Sequence, residues 1–115
     1  MRRRILFVVS HAPQRGALSA ELLDELLIAA AFEQEVSVLF VGDGAYQLVA
    51  GDDAPSGTAR GYRALPTYEV ENVFVELAAL KPRELTPDRF VIAARPLARP
   101  AVRRLIATQD VVVPD

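Results

Sequence analysis

The feature that most constrains the fold is a set of short, unbroken apolar runs separated by segments of a different period. Ile5-Leu6-Phe7-Val8-Val9 has no polar residue at either alternate position, so a strand built from it is covered on both faces. Val36-Ser37-Val38-Leu39-Phe40-Val41 is a second such run, broken only by Ser37. Between them Leu18, Leu22, Leu26 and Ala30 recur at every fourth residue, with Leu23, Leu27 and Ala31 beside them. Glu21, Asp24 and Glu25 fall mostly on the opposite side, which describes an amphipathic helix. Ser19 is placed to cap its first turn.

The alternation continues. Gly42-Asp43-Gly44 stops the second strand and leads into a short helix over residues 45–49. Residues 50–57 hold Gly51, Asp52, Asp53, Pro55, Ser56 and Gly57 and are expected to form a surface loop. Residues 58–65 suggest a short helix weakened by Gly61 and closed by Pro66. Val73-Phe74-Val75 is expected as a third strand, Phe90-Val91-Ile92-Ala93 as a fourth and Val111-Val112-Val113 as a fifth. Before the last, Pro100 suits a first helical turn, and Ala101, Val102, Leu105 and Ile106 form an apolar stripe. Short strands joined by helical crossovers require a mostly parallel sheet. The fold class expected is therefore α/β, a three-layer α/β/α sandwich with a five-stranded sheet of the flavodoxin-like type. Its 115 residues fit one domain.

Composition narrows the chemistry. With no cysteine, the chain cannot make a disulfide, a thiolate metal site or a persulfide of its own. Thirteen basic against 15 acidic residues leave a formal charge of -2, too balanced for a protein that binds nucleic acid by itself. Lys81 is the single lysine, so nearly all the positive charge is guanidinium. Met1-Arg2-Arg3-Arg4 before Ile5 reads as the basic flank of a strand, since the apolar run is too short for a secretory segment or a membrane span. A cytoplasmic protein is expected.

In a parallel sheet, functional groups gather at the carboxyl ends of the strands: Ser10-His11, Gly42-Asp43-Gly44, Val75-Glu76, Ala94-Arg95 and Pro114. His11 is the only histidine and lacks the companions of a zinc site. Adjacent residues of an extended chain point apart, which makes Ser10-His11 a poor catalytic couple. Gly42-Asp43-Gly44 is followed by Ala45, Tyr46 and Gln47, without the further glycine of a dinucleotide fingerprint and without a Walker lysine. The glycines are expected to shape a turn and Asp43 to cap it. Glu76 suits the start of a helix. Tyr62, between Arg60 and Arg63, is expected on an exposed helix or at a subunit contact. No group of residues combines nucleophile, base and oxyanion donors, so no catalytic, cofactor-binding or metal residue is assigned. A homo-oligomeric small-ligand binder using the crevice near Ser10, Gly42 and Glu76 is one alternative, and a hydrolase using Ser10, His11 or Glu76 another.

Taken in order, these segments resemble the sulfur-relay subunit family known as TusC in tRNA thiolation and DsrF in sulfur oxidation. The resemblance rests on Ile5-Leu6-Phe7-Val8-Val9-Ser10 with Ala12-Pro13, on the helix from Glu21 through Ala31, and above all on Val38-Leu39-Phe40-Val41-Gly42-Asp43-Gly44-Ala45-Tyr46-Gln47-Leu48. Tyr68-Glu69-Val70-Glu71 and Asp110-Val111-Val112-Val113 add to it. It implies a single DsrE-like domain over residues 1–115, without cofactor, acting in a heterohexamer with two homologous sister subunits, TusB/DsrH-like and TusD/DsrE-like. The complex passes persulfide sulfur from a donor to a downstream carrier, toward 2-thiouridine at the tRNA wobble position or, alternatively, in dissimilatory sulfur oxidation. The resemblance puts the transferring cysteine on a sister subunit, at the place that Val75 or Glu76 holds here. Ser10, His11, Gly42, Asp43, Gly44, Gln47 and Tyr62 are the candidate crevice or interface residues. Neither membrane nor direct nucleic-acid contact is expected.

Overall fold

The apolar runs pair side by side at the centre of one sheet. The computed structural model describes residues 2–13, 18–49 and 59–115. Strands β1 (Arg4–Val9), β2 (Glu35–Phe40), β3 (Asn72–Glu76), β4 (Arg95–Leu97) and β5 (Val111–Pro114) lie in the order β4-β3-β2-β1-β5, with every neighbouring pair parallel. The helices are α1 (Leu18–Ala31), α2 (Ala59–Arg63) and α3 (Arg99–Ala107), with 3₁₀ turns at Gly42–Val49, Leu65–Tyr68, Leu77–Ala79, Lys81–Arg83 and Pro87–Arg89. The side chain of Ser19 and the loop expected at residues 50–57 lie outside the described residues.

Right-handed crossovers decide which face each connection covers. The steps β1 to β2 to β3 to β4 all move the same way along the sheet, so α1, α2 and the 3₁₀ turns share one face. The last step returns across three strands to β5 and puts α3 alone on the other face. This order keeps the doubly wound sandwich but differs from the 2-1-3-4-5 order of flavodoxin. It makes β1 and β5 the neighbours on either side of the reversal, where a crevice opens.

The main core lies under α1. Phe7 and Val9 of β1, Val36, Val38 and Phe40 of β2, and Val73 and Val75 of β3 face Leu22, Leu23 and Leu26. A fully buried Leu of this kind contributes about 1.5–3 kcal/mol. Beneath α3 the cover is thinner. Leu6 and Leu39 are buried there, yet α3 has no buried residue, and a cleft of about 300 Å³ remains between Leu105 and the sheet residues Ser37 and Phe74. α1 ends in a left-handed Glu33 (φ 61), with Glu33 N–H donating to Ala30 O and Gln34 N–H to Ala29 O, a Schellman closure in which glycine is the usual residue.

Two expected elements differ. Phe90-Val91-Ile92-Ala93 is not a strand: Val91 N–H donates to Leu48 O, Ile92 is buried in the core, and the fourth strand starts later, at Arg95. A four-residue apolar run can serve as core-filling coil as well as strand, and Pro96, which has no N–H, is tolerated because β4 is an edge that pairs only with β3. Ala94-Arg95 therefore stands at the amino end of β4, and Leu97 takes the carboxyl end. The helix expected at residues 45–49 begins earlier, as one 3₁₀ turn from Gly42.

Candidate functional site

The carboxyl ends of β1 and β5 meet at the reversal point of the sheet, and Asp115 joins them. Its side chain is 1% exposed. Its carboxylate accepts the Ser10 backbone N–H at 3.1 Å on both oxygens, the Ser10 hydroxyl at 2.5 Å and the His11 backbone N–H at 3.2 Å, while His11 Nδ1 lies 3.0 Å away. Burial acts to raise the pKa of this carboxyl. The hydrogen bonds from Ser10 and His11, with the imidazole charge, outweigh burial and hold it below the ordinary carboxylate value.

Ser10 and His11 were expected to point apart, but the chain bends once β1 ends and both turn to the same carboxylate, with Ser10 Oγ and His11 Nδ1 3.5 Å apart. The order is still wrong for a nucleophile relay. In such a relay the imidazole stands between hydroxyl and carboxylate. Here the carboxylate is the hub, and the Ser10 hydroxyl donates to it directly.

The 3₁₀ turn after β2 forms the adjoining wall. Gly42 has φ 50, and its N–H donates to Glu76 Oε1 at 3.2 Å. A Cβ on Gly44 would lie 1.9 Å from the Val9 carbonyl oxygen, so only glycine lets this turn press on the end of β1. Asp43 does not cap the turn as expected. Its Oδ1 instead accepts Nε and Nη2 of Arg83 at 3.1 and 3.0 Å, and Arg83 Nη1 reaches Ala79 O. Gln47 is buried and donates from Nε2 to His11 O at 3.2 Å.

Tyr62 is also buried, contrary to the exposed position expected of it. Its ring meets Phe40 edge-on at 5.4 Å. The physical reason lies one residue earlier: a Cβ on Gly61 would sit 2.2 Å from Leu23 Cδ2, so glycine brings α2 close against α1 and lets the ring reach Phe40 of β2. Tyr62 OH has no hydrogen-bond partner among the described residues, and burial, with the nearby Asp115 charge, pushes its pKa up.

The structure thus gathers Ser10, His11, Gly42, Gly44 and Gln47 at one end of the sheet, with Asp43 on the rim and Tyr62 in the core behind. Val75 is fully buried, and Glu76 is half-buried beside a cleft of about 320 Å³ lined also by Ala78, Arg99, Val102 and Arg103. Asp115 and Arg83 escaped the sequence reading. Asp115 immediately follows Pro114, the residue expected at the carboxyl end of the fifth strand, and that adjacency was the available signal. Among the described residues no cluster of three or more His, Cys, Asp or Glu could hold a metal ion, and no helix is long and apolar enough to cross a membrane.

Comparison with known proteins agrees with this architecture. The chain is 39% identical to the TusC proteins of Shigella flexneri and of Escherichia coli O9:H4 (strain HS), over 96% of its length and 98% of theirs. The crystal structure of the ychN protein from E. coli superposes on all of it with a TM-score of 0.84 at 13% identity, a likeness of fold. The sequence model of the DsrE/DsrF-like family matches residues 3–114, and the chain belongs to that family.

Proposed function

We propose that this chain is a non-catalytic, TusC-type subunit of a cytoplasmic sulfur-relay complex that delivers persulfide sulfur for 2-thiolation of the tRNA wobble uridine. The observation that carries the proposal is its 39% identity, nearly end to end, to TusC proteins. The absence of cysteine supports it, because the sulfur must then travel on another chain. In this reading the two sister subunits are TusB/DsrH-like and TusD/DsrE-like, and the transferring cysteine belongs to a sister subunit. Val75 or Glu76 matches that position; Val75 is buried, and the Glu76 carboxylate is committed to the Gly42 N–H. The role of Glu76 is to hold the turn at Gly42–Val49 against β3, so that this chain contributes shape and not sulfur.

The test is the 2-thiouridine content of tRNA in a strain lacking this chain. Loss of thiouridine, restored by the wild-type gene, is the expected result. Unchanged thiouridine removes the tRNA role and directs attention to sulfur oxidation.

A further inference from the structure

We infer that the outer faces of α1 and α3 are the two halves of a head-to-tail contact, in which one copy of this chain seats its α1 stripe on the α3 stripe of a second copy. This goes beyond the sulfur-relay proposal and does not depend on it.

The two faces match at three positions. On α1, Glu21, Asp24, Glu25 and Ile28 turn away from the core, as does Phe32 just past its end, with Ile28 57% and Phe32 74% exposed. On α3, Arg99, Arg103, Arg104 and Ile106 do the same. Glu21, Glu25 and Ile28 stand at i, i+4 and i+7; Arg99, Arg103 and Ile106 stand at the same three steps. α1 contains no basic residue and α3 no acidic one. Among the described residues, none of these carboxylates or guanidiniums makes an ion pair or side-chain hydrogen bond within its own chain. Among the described residues neither stripe thus has a charge partner in its own chain, with Arg99 and Arg103 bordering the cleft beside Glu76.

Direction agrees as well. Each helix connects parallel strands and so runs opposite to them, starting at the carboxyl end of the sheet. Two copies stacked with their sheets in the same sense bring Glu21 to Arg99, Glu25 to Arg103 and Ile28 to Ile106. Because α1 and α3 cover opposite faces of the sheet, each copy offers one half of the contact and receives the other. Individual exposed ion pairs are weak and screened by salt, so the association is concentration-dependent and strongest at low ionic strength.

Analytical ultracentrifugation of the purified full chain tests this. At low salt the weight-average mass is expected to rise above 12.6 kDa with concentration and to return to it in high salt. Arg99→Glu/Arg103→Glu and Glu21→Arg/Glu25→Arg each leave two like-charged faces, so each variant alone stays monomeric while their equimolar mixture associates. Arg103→Gln, a milder change at an exposed position, lowers association in the same direction. A wild-type mass that stays at 12.6 kDa at every concentration overturns the inference, as does an associating wild type whose charge-reversed variants fail to rescue each other. Either failure leaves the thiouridine test of the sulfur-relay proposal untouched.

Discussion

Asp115 gathers hydrogen bonds from both residues that end β1, so its ionisation is coupled to folding. Its folded pKa is lowered, so as pH falls the unfolded chain takes up the proton first. The tie therefore stabilises fully above the unfolded carboxyl pKa of about 3.9 and is lost as pH drops through the lower, folded value. Asp115→Asn is expected to cost about 1–3 kcal/mol at pH 7, and its urea midpoint should fall less between pH 7 and pH 3 than the wild type's. Equal pH slopes in the two proteins would sink this account. Tyr62 behaves oppositely. Its hydroxyl is buried without a partner among the described residues, so Tyr62→Phe removes a desolvated group while keeping the edge-on ring contact, and a gain of about 1 kcal/mol in denaturant unfolding is expected. A loss would show that the hydroxyl has a partner in solution. Ser10, His11 and Gly42 could be picked out as strand-end residues, but Asp115 could not be matched to Ser10, because 105 positions separate them. The burial of Tyr62 was hidden by its charged neighbours, for only the approach of Gly61 to Leu23 submerges it.

Elements with a clear period were legible, and elements held by distant contacts were not. β1, α1, β2 and α3 follow from apolar spacing alone, because each must turn one face or both to a core whatever the rest of the chain does. The fourth strand was misplaced because residues 90–93 and 95–97 compete for one edge, and pairing with β3 selects the second. The 3₁₀ turn from Gly42 to Val49 depends on its seat against β1 in the same way. Gly44→Ala drives a methyl group into the Val9 backbone, which cannot swing aside as a flexible side chain can. A loss of about 3 kcal/mol is expected, measured by thermal or urea unfolding. An alanine variant as stable as the wild type would mean that the turn does not press on β1 as described.

For the whole molecule, the prediction concerns what the chain does alone and in company. The purified protein is expected to show no sulfurtransferase activity with a persulfide donor, because it has no thiol to carry sulfur. Co-expressed with the sister subunits that the sulfur-relay proposal names, it should elute from gel filtration in a stable mixed complex. Activity from the isolated chain, or failure of any sister to co-purify, counts against the sulfur-relay proposal. What the sequence by itself determined was the layered α/β architecture, the helix faces that must be buried and the exclusion of thiol chemistry, since hydropathic period and residue type are local properties. Only the tertiary structure decided the strand order, the edge position of β4, the tie from Asp115 to Ser10 and His11, and the core position of Tyr62. Each of these joins residues far apart in the chain, and their partners are chosen by which surfaces can be packed and which polar groups satisfied at the same time.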